Sequence, residues 1–316
     1  MATARKYSRL VYQNEAEWHA IRKQGIGGSD VAAICGVNPY KSPLQVYYEK
    51  VDPGKITPFT GNRFTEWGTI LEPIVAEKFA QETGLVVREL RATLADKKYP
   101  FMRANIDRKI AGKNEGLEIK TTSAWNAGKI SEGIPDVYAA QCHHYMMVTG
   151  WQRWHLAVLI GGNDFKTFVI ERDDEVIEYL KDIEINFWEN HVLKKEPPLP
   201  SAQDGSLLQD LYPDDPTNEI ELDNPDDQEL IKRFLTIQEQ EKDLKKEKDE
   251  IANRLKKTLG DFEAHTALVG NSKVTWKPFS STRFDSTRFK SEFPKVWAKY
   301  SNTTRSRRFT VSPIKK

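Results

Sequence analysis

In the stretch GLEIKTT, residues 116–122, a glutamate and a lysine stand two positions apart among apolar residues. On a strand, residues two apart share a face, so Glu118 and Lys120 point one way while Leu117 and Ile119 point the other. Taken alone, such a pair is a solvated ion pair on a half-exposed strand. Asp107, eleven residues upstream at the end of PFMRANID, gives it another meaning. Two strands joined by a turn of that length can set Asp107 beside Glu118 at one sheet edge. Two converging carboxylates and a lysine suit a hard divalent cation together with a group that orients water. Mg2+, with Mn2+ as a substitute, takes one or two carboxylates and fills its remaining positions with water and phosphate oxygens. A protonated lysine cannot be a ligand. It can position or activate a water, or offset charge developing on phosphorus.

Around this group the chain must build elements that hold it. Residues 16–35 read as two helical pieces joined by QGIGGSD, with Ser29 as the N-cap of the second and Asp30 in its first turn. A helix is expected over 65–83, stopped by Gly84; Pro73 inside it implies a kink or a start nearer Leu71. Strands follow at 85–94, 100–106 and 116–121, and a helix from Pro135 to Gly150. RWHLAVLI and FKTFVIE flank the turn GGND and predict a hairpin, after which a helix covers 173–194. The order predicts an α/β plan with a mixed central sheet flanked by helices. Gln141 stands on an otherwise apolar, aromatic-rich helix, where a buried amide needs a partner, and Tyr145 lies one turn further on the same face. His143 and His144 have no ligand-spaced partner and read as helix surface and core.

Hydrophobic residues make up 39% of the 316 and charged residues 29%, a balance that fits a water-soluble fold. No apolar run is long enough to span a membrane. The first residues lack the apolar segment of a secretory signal. Cys35 and Cys142 are too few for a four-cysteine cluster, and a cytoplasmic location is expected. The net charge of +1 conceals segregation: residues 201–229 hold ten acidic residues and no basic one, whereas 273–316 hold twelve Lys/Arg against Asp285 and Glu292. Between them, Asn224 and Pro225 open a long helix. Its apolar residues at 230, 234, 237, 244, 251 and 255 keep a heptad-like spacing that Glu241 and Lys248 interrupt.

The pattern D-(x)10-E-x-K resembles the catalytic signature of the PD-(D/E)xK nucleases. The Q-x-x-x-Y of Gln141 and Tyr145 resembles the third motif of their RecB-like branch, and WGTILEP resembles the segment that brings a further acid, here Glu72, in lambda-type exonucleases. IRKQGIGGSDVAAICG resembles the N-terminal R…G-[IV]-[TG]-x-S-[DE] element of the same enzymes. In order and spacing the four together are similar to the YqaJ-type viral recombinase family over about residues 16–195. The resemblance implies a PD-(D/E)xK core and a Mg2+-dependent exonuclease acting on linear duplex DNA ends. It implies 5′→3′ digestion that leaves 3′ single-stranded tails in phage-type recombination. It further implies a RecT/beta-like single-strand annealing partner and a homo-oligomer, a ring-shaped trimer in the lambda relative.

Carried across by residue, Asp107, Glu118 and the carbonyl of Ile119 would hold the metal, with Glu72 helping or shaping a second site. Lys120 would orient or deprotonate the attacking water. Gln141 would contact the substrate backbone or buttress the lysine, with Tyr145 supporting its helix. Arg22 and Ser29 would bind a 5′-terminal phosphate, for which a guanidinium fork and a serine at a helix start are suited. Asn105 stands where the lambda enzyme has a serine that contacts phosphate, and TTSAWN replaces an arginine-bearing segment. The expected organisation is a nuclease domain over 1–200, an acidic linker over 201–229, and a long helix with a basic, aromatic-rich module over 230–316. A Cas4-type nuclease, disfavoured by the cysteine count, and a non-catalytic DNA-end scaffold are the alternatives.

Overall fold

The computed structural model describes residues 5–213, 219–303 and 307–312. Residues 214–218 of the acidic stretch and 304–306 and 313–316 of the basic tail lie outside the described residues. The chain divides into two units, Met1–Pro213 and Asp214–Lys316.

The first unit opens with β1 (Tyr7–Leu10), then α1 (Glu15–Lys23), α2 (Gly28–Ile34), α3 (Pro43–Val51) and the long α4 (Arg63–Thr83). A meander follows: β2 (Val87–Arg88), β3 (Thr93–Asp96), β4 (Arg103–Ala104), β5 (Arg108–Ile110) and β6 (Glu115–Thr122). Next come α5 (Ala127–Glu132), α6 (Asp136–Thr149), the hairpin β7 (Arg153–Ile160) and β8 (Asp164–Glu171), and α7 (Asp174–Asn186). α7 runs on as π-helical turns over Phe187–Leu193, and α8 (Gly205–Leu211) ends the unit. The main sheet has the order β2-β5-β6-β7-β8, and β1-β3-β4 form a second, smaller sheet. β6 and β7 are parallel, because α5 and α6 intervene to return the chain, while the other pairs in the main sheet are antiparallel. The unit is therefore a mixed α/β fold with a mixed central sheet, as its element order predicts.

Strand alternation in β6 divides the core into two layers. Leu117 and Ile119 face α4, where Val75, Ala76 and Phe79 pack with Ile110 and Ala157. On the other face, Trp154, Leu156 and Val158 of β7 pack with Cys142 and Met146 of α6. Glu118 pairs in register with Leu156 and Lys120 with Val158, which puts both on the α6 side of the sheet. Gly116 is required here. A Cβ at that position would come within 2.2–2.5 Å of the Trp154 indole, which is fully buried. Gly116→Ala is expected to cost about 1–3 kcal/mol through overpacking, read as a lowered melting temperature.

α4 bears out the helix expected over 65–83, with Gly84 as its stop. It begins at Arg63, capped by Asn62, whose Oδ1 accepts from the Phe64 and Thr65 N–H groups at 2.8 and 3.1 Å. It passes through Pro73 rather than starting near Leu71. Both Pro73 and Thr69, whose carbonyl Pro73 leaves without a donor, are exposed, so water can serve that oxygen. The first unit also runs past residue 200. Leu207 of α8 packs with Leu44 and Ile56, and buried Asp204 accepts from Ser42 Oγ.

The second unit is built on α9 (Pro225–Asp261), a 37-residue helix capped by Asn224 with Pro225 at its first position. The hairpin β9 (Thr266–Val269) and β10 (Ser272–Thr275) follows, then α10 (Ser286–Glu292) and α11 (Pro294–Tyr300). Leu259 is buried, but the heptad-spaced residues from Leu230 to Leu255 stay exposed or half-exposed. Among the described residues, no helix is long and apolar enough to cross a membrane.

Candidate active site

The end of β5 and the middle of β6 bring the carboxylates together. Asp107 immediately precedes β5, and its Oδ2 accepts from the Ile119 N–H at 2.7 Å. In a strand the N–H and C=O of one residue point to the same edge, so the Ile119 carbonyl is directed to the side where Asp107 lies. Glu118 is buried, and its Oε1 accepts from Lys120 Nζ at 2.5 Å and from Gln141 Nε2 at 2.7 Å. Its second oxygen, Oε2, is buried without a hydrogen-bond partner among the described residues. Lys120 is about a quarter exposed and sits over the Tyr138 ring at 5.6 Å.

Crowding of charge is visible in the titration of these groups. Burial first, and then the Glu118 charge, push the Asp107 carboxyl well above its usual range. Burial also raises Glu118, against the pull of Lys120 and Gln141. Burial works against the Lys120 charge, but Glu118 and Asp107 outweigh it and hold the amine above the usual lysine range. In this arrangement Lys120 is a charged donor.

Glu72 is brought near but is differently engaged. Its Oε1 accepts from Arg108 Nη1 at 2.5 Å, and the same guanidinium nitrogen donates to the Asp107 carbonyl at 2.6 Å. Among the described residues, no group of three or more His, Cys, Asp or Glu side chains stands assembled for a metal ion. The oxygen donors that converge are Asp107, Glu118 and the Ile119 carbonyl edge, a hard set of the kind that suits Mg2+ or Mn2+. Gln141 buttresses the glutamate rather than the lysine. It also donates to Tyr145 Oη at 2.8 Å, so buried Tyr145 stands behind it as a support and away from solvent.

Arg22 and Ser29 form a second group, joined by a 2.7 Å bond from Nη2 to Oγ. Ser29 is not the N-cap; Gly27 holds that position and Ser29 is an exposed residue of the first turn of α2. The two groups adjoin through Gly28, where a Cβ would strike the Tyr145 ring at 2.6 Å and Gln141 Cγ at 2.8 Å. Asn105, beside this group, has its side-chain oxygen engaged by two other elements. Its Oδ1 accepts from Trp18 Nε1 at 3.1 Å and Thr93 Oγ1 at 2.6 Å, which ties α1 to β3. Trp18 in turn lies under the Arg22 guanidinium, 5.3 Å from its ring centroid.

Three further residues shape the site through partners that sequence patterns did not mark. Arg108 fixes Glu72. Asp30, 1% exposed, binds Lys50 at 2.7 Å and Lys41 at 2.9 Å and closes back on the Gly27 N–H at 3.2 Å. Burial opposes its charge, but Lys50, Lys41 and Arg22 overcome this and hold it far below the ordinary carboxylate range. Asp30 thereby gathers three cations around the start of α2. Finally, fully buried His144 bridges Glu184 Oε1 at 2.7 Å and the Arg103 carbonyl at 2.9 Å. Arg103 in turn bonds the Ile21 carbonyl and the Ile26 carbonyl, the two ends of the loop that carries Arg22 toward Ser29. The two threonines of GLEIKTT are structural: Thr121 faces Gly68 of α4, and Thr122 Oγ1 accepts from Asn126.

Comparison with known proteins places the chain in a family. The family model described as a YqaJ-like viral recombinase domain matches residues 17–152. The uncharacterized protein YqaJ of Bacillus subtilis is 36% identical over 306 residues, 94% of each chain. Protein D345L of African swine fever virus is 38% identical over a 74-residue stretch, 22% of this chain and 21% of the viral protein. Among solved structures, an alkaline exonuclease from Laribacter hongkongensis is similar at a TM-score of 0.49 and 21% identity, covering 57% of this chain and 94% of that one. The YqaJ relative matches nearly end to end, and the chain belongs to the YqaJ-like viral recombinase family.

Proposed function

We propose that this chain is a Mg2+-dependent exonuclease of the PD-(D/E)xK type that digests one strand of linear duplex DNA from a 5′-phosphorylated end. The strongest support is Glu118, a fully buried carboxylate clamped by Lys120 and Gln141 whose second oxygen has no protein partner among the described residues. Buried charge of that kind is costly unless it serves a cation or a reaction. Asp107, Glu118 and the Ile119 carbonyl would hold the metal, and Glu72 would reach it only if it exchanges its contact with Arg108. When bound, the cation supplies Lewis-acid polarisation of the scissile phosphate and a more acidic water. Lys120, a charged donor on the same strand face, orients the attacking water and offsets charge on the phosphorus oxygens. Gln141 keeps the Glu118 rotamer fixed, and Arg22 with Ser29 receives the terminal phosphate at the start of α2, whose Gly28 packs on Gln141 and Tyr145. The reading entails a 3′ single-stranded product, a RecT/beta-like annealing partner in recombination and a ring-shaped homotrimer, with Mn2+ able to replace Mg2+.

The decisive experiment offers purified protein linear duplex DNA with 5′-phosphate or 5′-hydroxyl ends, with Mg2+ or with chelator. Digestion of the phosphorylated strand that stops in chelator supports the reading; no digestion in Mg2+ overturns it. Arg22→Ala is expected to lose the preference for 5′-phosphate, a factor of roughly 10 to 100 for a charge-assisted contact, while retaining slow digestion of both ends. Preference undiminished in Arg22→Ala would remove that residue from the phosphate pocket.

A further inference from the structure

We propose that the basic, aromatic-rich C-terminal module, described over residues 273–303 and 307–312, is a binding site for single-stranded nucleic acid, independent of whether the nuclease site is catalytic. The observation is a set of aromatic side chains that stay open to solvent: Phe284, Phe289 and Phe293 touch one another and Phe309 meets Phe234 of α9, yet none of these is buried. Trp276 is 51% exposed, Phe279 86%, Phe284 69% and Tyr300 75%, and Phe293 and Phe309 are exposed as well. Phe289 and Trp297 alone among the aromatics of this stretch are half-buried. Clustered exposed aromatics on a soluble protein mark a surface that something covers.

The charge says what covers it. Lys273, Lys277, Arg283, Lys290, Lys295 and Lys299 make no ion pair among the described residues, whereas the acidic side chains of the stretch are spent locally. Glu292 binds Arg288 at 2.7 Å, and Asp285 caps α10. Cation and ring are set side by side: Lys290 lies 5.9 Å from the Trp297 centroid and Lys299 5.4 Å from that of Tyr300. Where α9 ends beside the hairpin, a cleft of about 470 Å³ is lined by Leu259, Gly260, Glu263, His265, Trp276 and Lys277. Exposed rings interleaved along the sequence with cations that make no ion pair among the described residues suit the bases and phosphates of a nucleic-acid strand. A duplex hides its base faces in the stack, so the rings favour an unpaired strand.

The test is fluorescence anisotropy of the full chain in chelator, with a labelled oligonucleotide as single-stranded DNA, as the RNA of the same sequence, and as duplex. Lys277→Glu/Arg283→Glu/Lys290→Glu/Lys295→Glu is expected to weaken single-strand binding at least ten-fold. It should also flatten the salt dependence, by roughly 0.7 in log–log slope for each phosphate that is no longer neutralised. Trp276→Ala/Phe279→Ala, which leaves the charge intact, should weaken it about five-fold or more. As a control, Lys242→Glu/Lys245→Glu/Lys246→Glu/Lys256→Glu makes the same change of charge on α9 and should leave most of the affinity. The preferred strand, DNA or RNA, assigns the source of the ligand. The proposal falls if the tail variants bind as the wild type does, if the α9 control loses as much, or if the tail-dependent binding favours duplex. A chain that fails to digest duplex DNA yet shows the tail-dependent binding leaves this inference standing and removes only the nuclease reading.

Discussion

Lys120→Ala is expected to lower digestion of linear duplex DNA by about 10²–10⁴-fold, the range for removing a group that handles the reacting water. End recognition should survive, because Arg22 and Ser29 bond each other and do not depend on Lys120. A second substitution separates chemistry from folding. Glu118→Gln keeps the shape of the side chain but removes a buried negative charge that stands beside Asp107 and Glu72. It should abolish digestion while leaving the melting temperature in chelator unchanged or raised by a few degrees, since about 1 kcal/mol moves it roughly 2–4 °C in a domain of about 200 residues. The wild type should instead gain melting temperature on adding Mg2+, because a ligand that binds only the folded chain stabilises it, and Glu118→Gln should not. Digestion by Lys120→Ala at the wild-type rate would end the catalytic assignment. A Glu118→Gln protein that melts well below the wild type would make that carboxylate a structural group.

Glu184→Ala is expected to destabilise the fold by about 3–5 kcal/mol, the usual penalty for removing one partner of a buried ion pair. Neither His144 nor Glu184 reaches solvent, and the substitution leaves the imidazole with the Arg103 carbonyl as its remaining partner among the described residues. His144→Leu/Glu184→Met should recover most of the stability, since a pair of this kind is often replaceable by apolar residues of similar volume. Because Arg103 fixes the loop before Ser29, the single variant should also weaken selection for a 5′-phosphate, which a purely global loss of stability would not do selectively.

The same pair sets a pH dependence. Burial opposes the His144 charge, but Glu184, the Arg103 carbonyl and the more distant Asp30 prevail and raise the imidazole above its ordinary value of 6.5. A raised folded value means the native chain holds its proton longer than the unfolded chain does. Its stabilisation is complete below about 6.5 and is lost as pH rises through the folded value. Glu184 is raised too, by burial first, so its contribution also declines as pH rises from the ordinary glutamate value of 4.5. Thermal melts across neutral and alkaline pH should fall for the wild type and be flatter for His144→Leu/Glu184→Met. Parallel profiles would show that the pair does not govern the trend. Cys35, beside this pair, has its thiol pushed up to about 11, by burial and then by Glu184, and is expected to resist alkylation in the folded chain.

How much was legible beforehand follows from the reach of each interaction. The Glu118/Lys120 face, the Asp107 approach, the 37-residue helix behind Asn224-Pro225 and the β7–β8 hairpin arise from local periodicity and turn chemistry, which a sequence displays directly. Gln141 and Tyr145 were also visible, since residues four apart share a helix face. The partner of Gln141, Glu118, was not, because it lies 23 residues away on another element. Arg108 with Glu72, Asp30 with Lys50, and His144 with Glu184 are separated by 36, 20 and 40 residues. No pattern of spacing announces such pairs, and burial alone makes them strong. Asn105 shows the converse, a residue whose motif position suggested phosphate and whose oxygen the fold turns inward to Trp18 and Thr93. The sequence by itself determined which groups could do chemistry and on which strand and helix faces they stand. Tertiary packing decided which of them are charged, which are held, and which merely hold the others, because desolvation and pairing depend on neighbours that only the folded chain supplies.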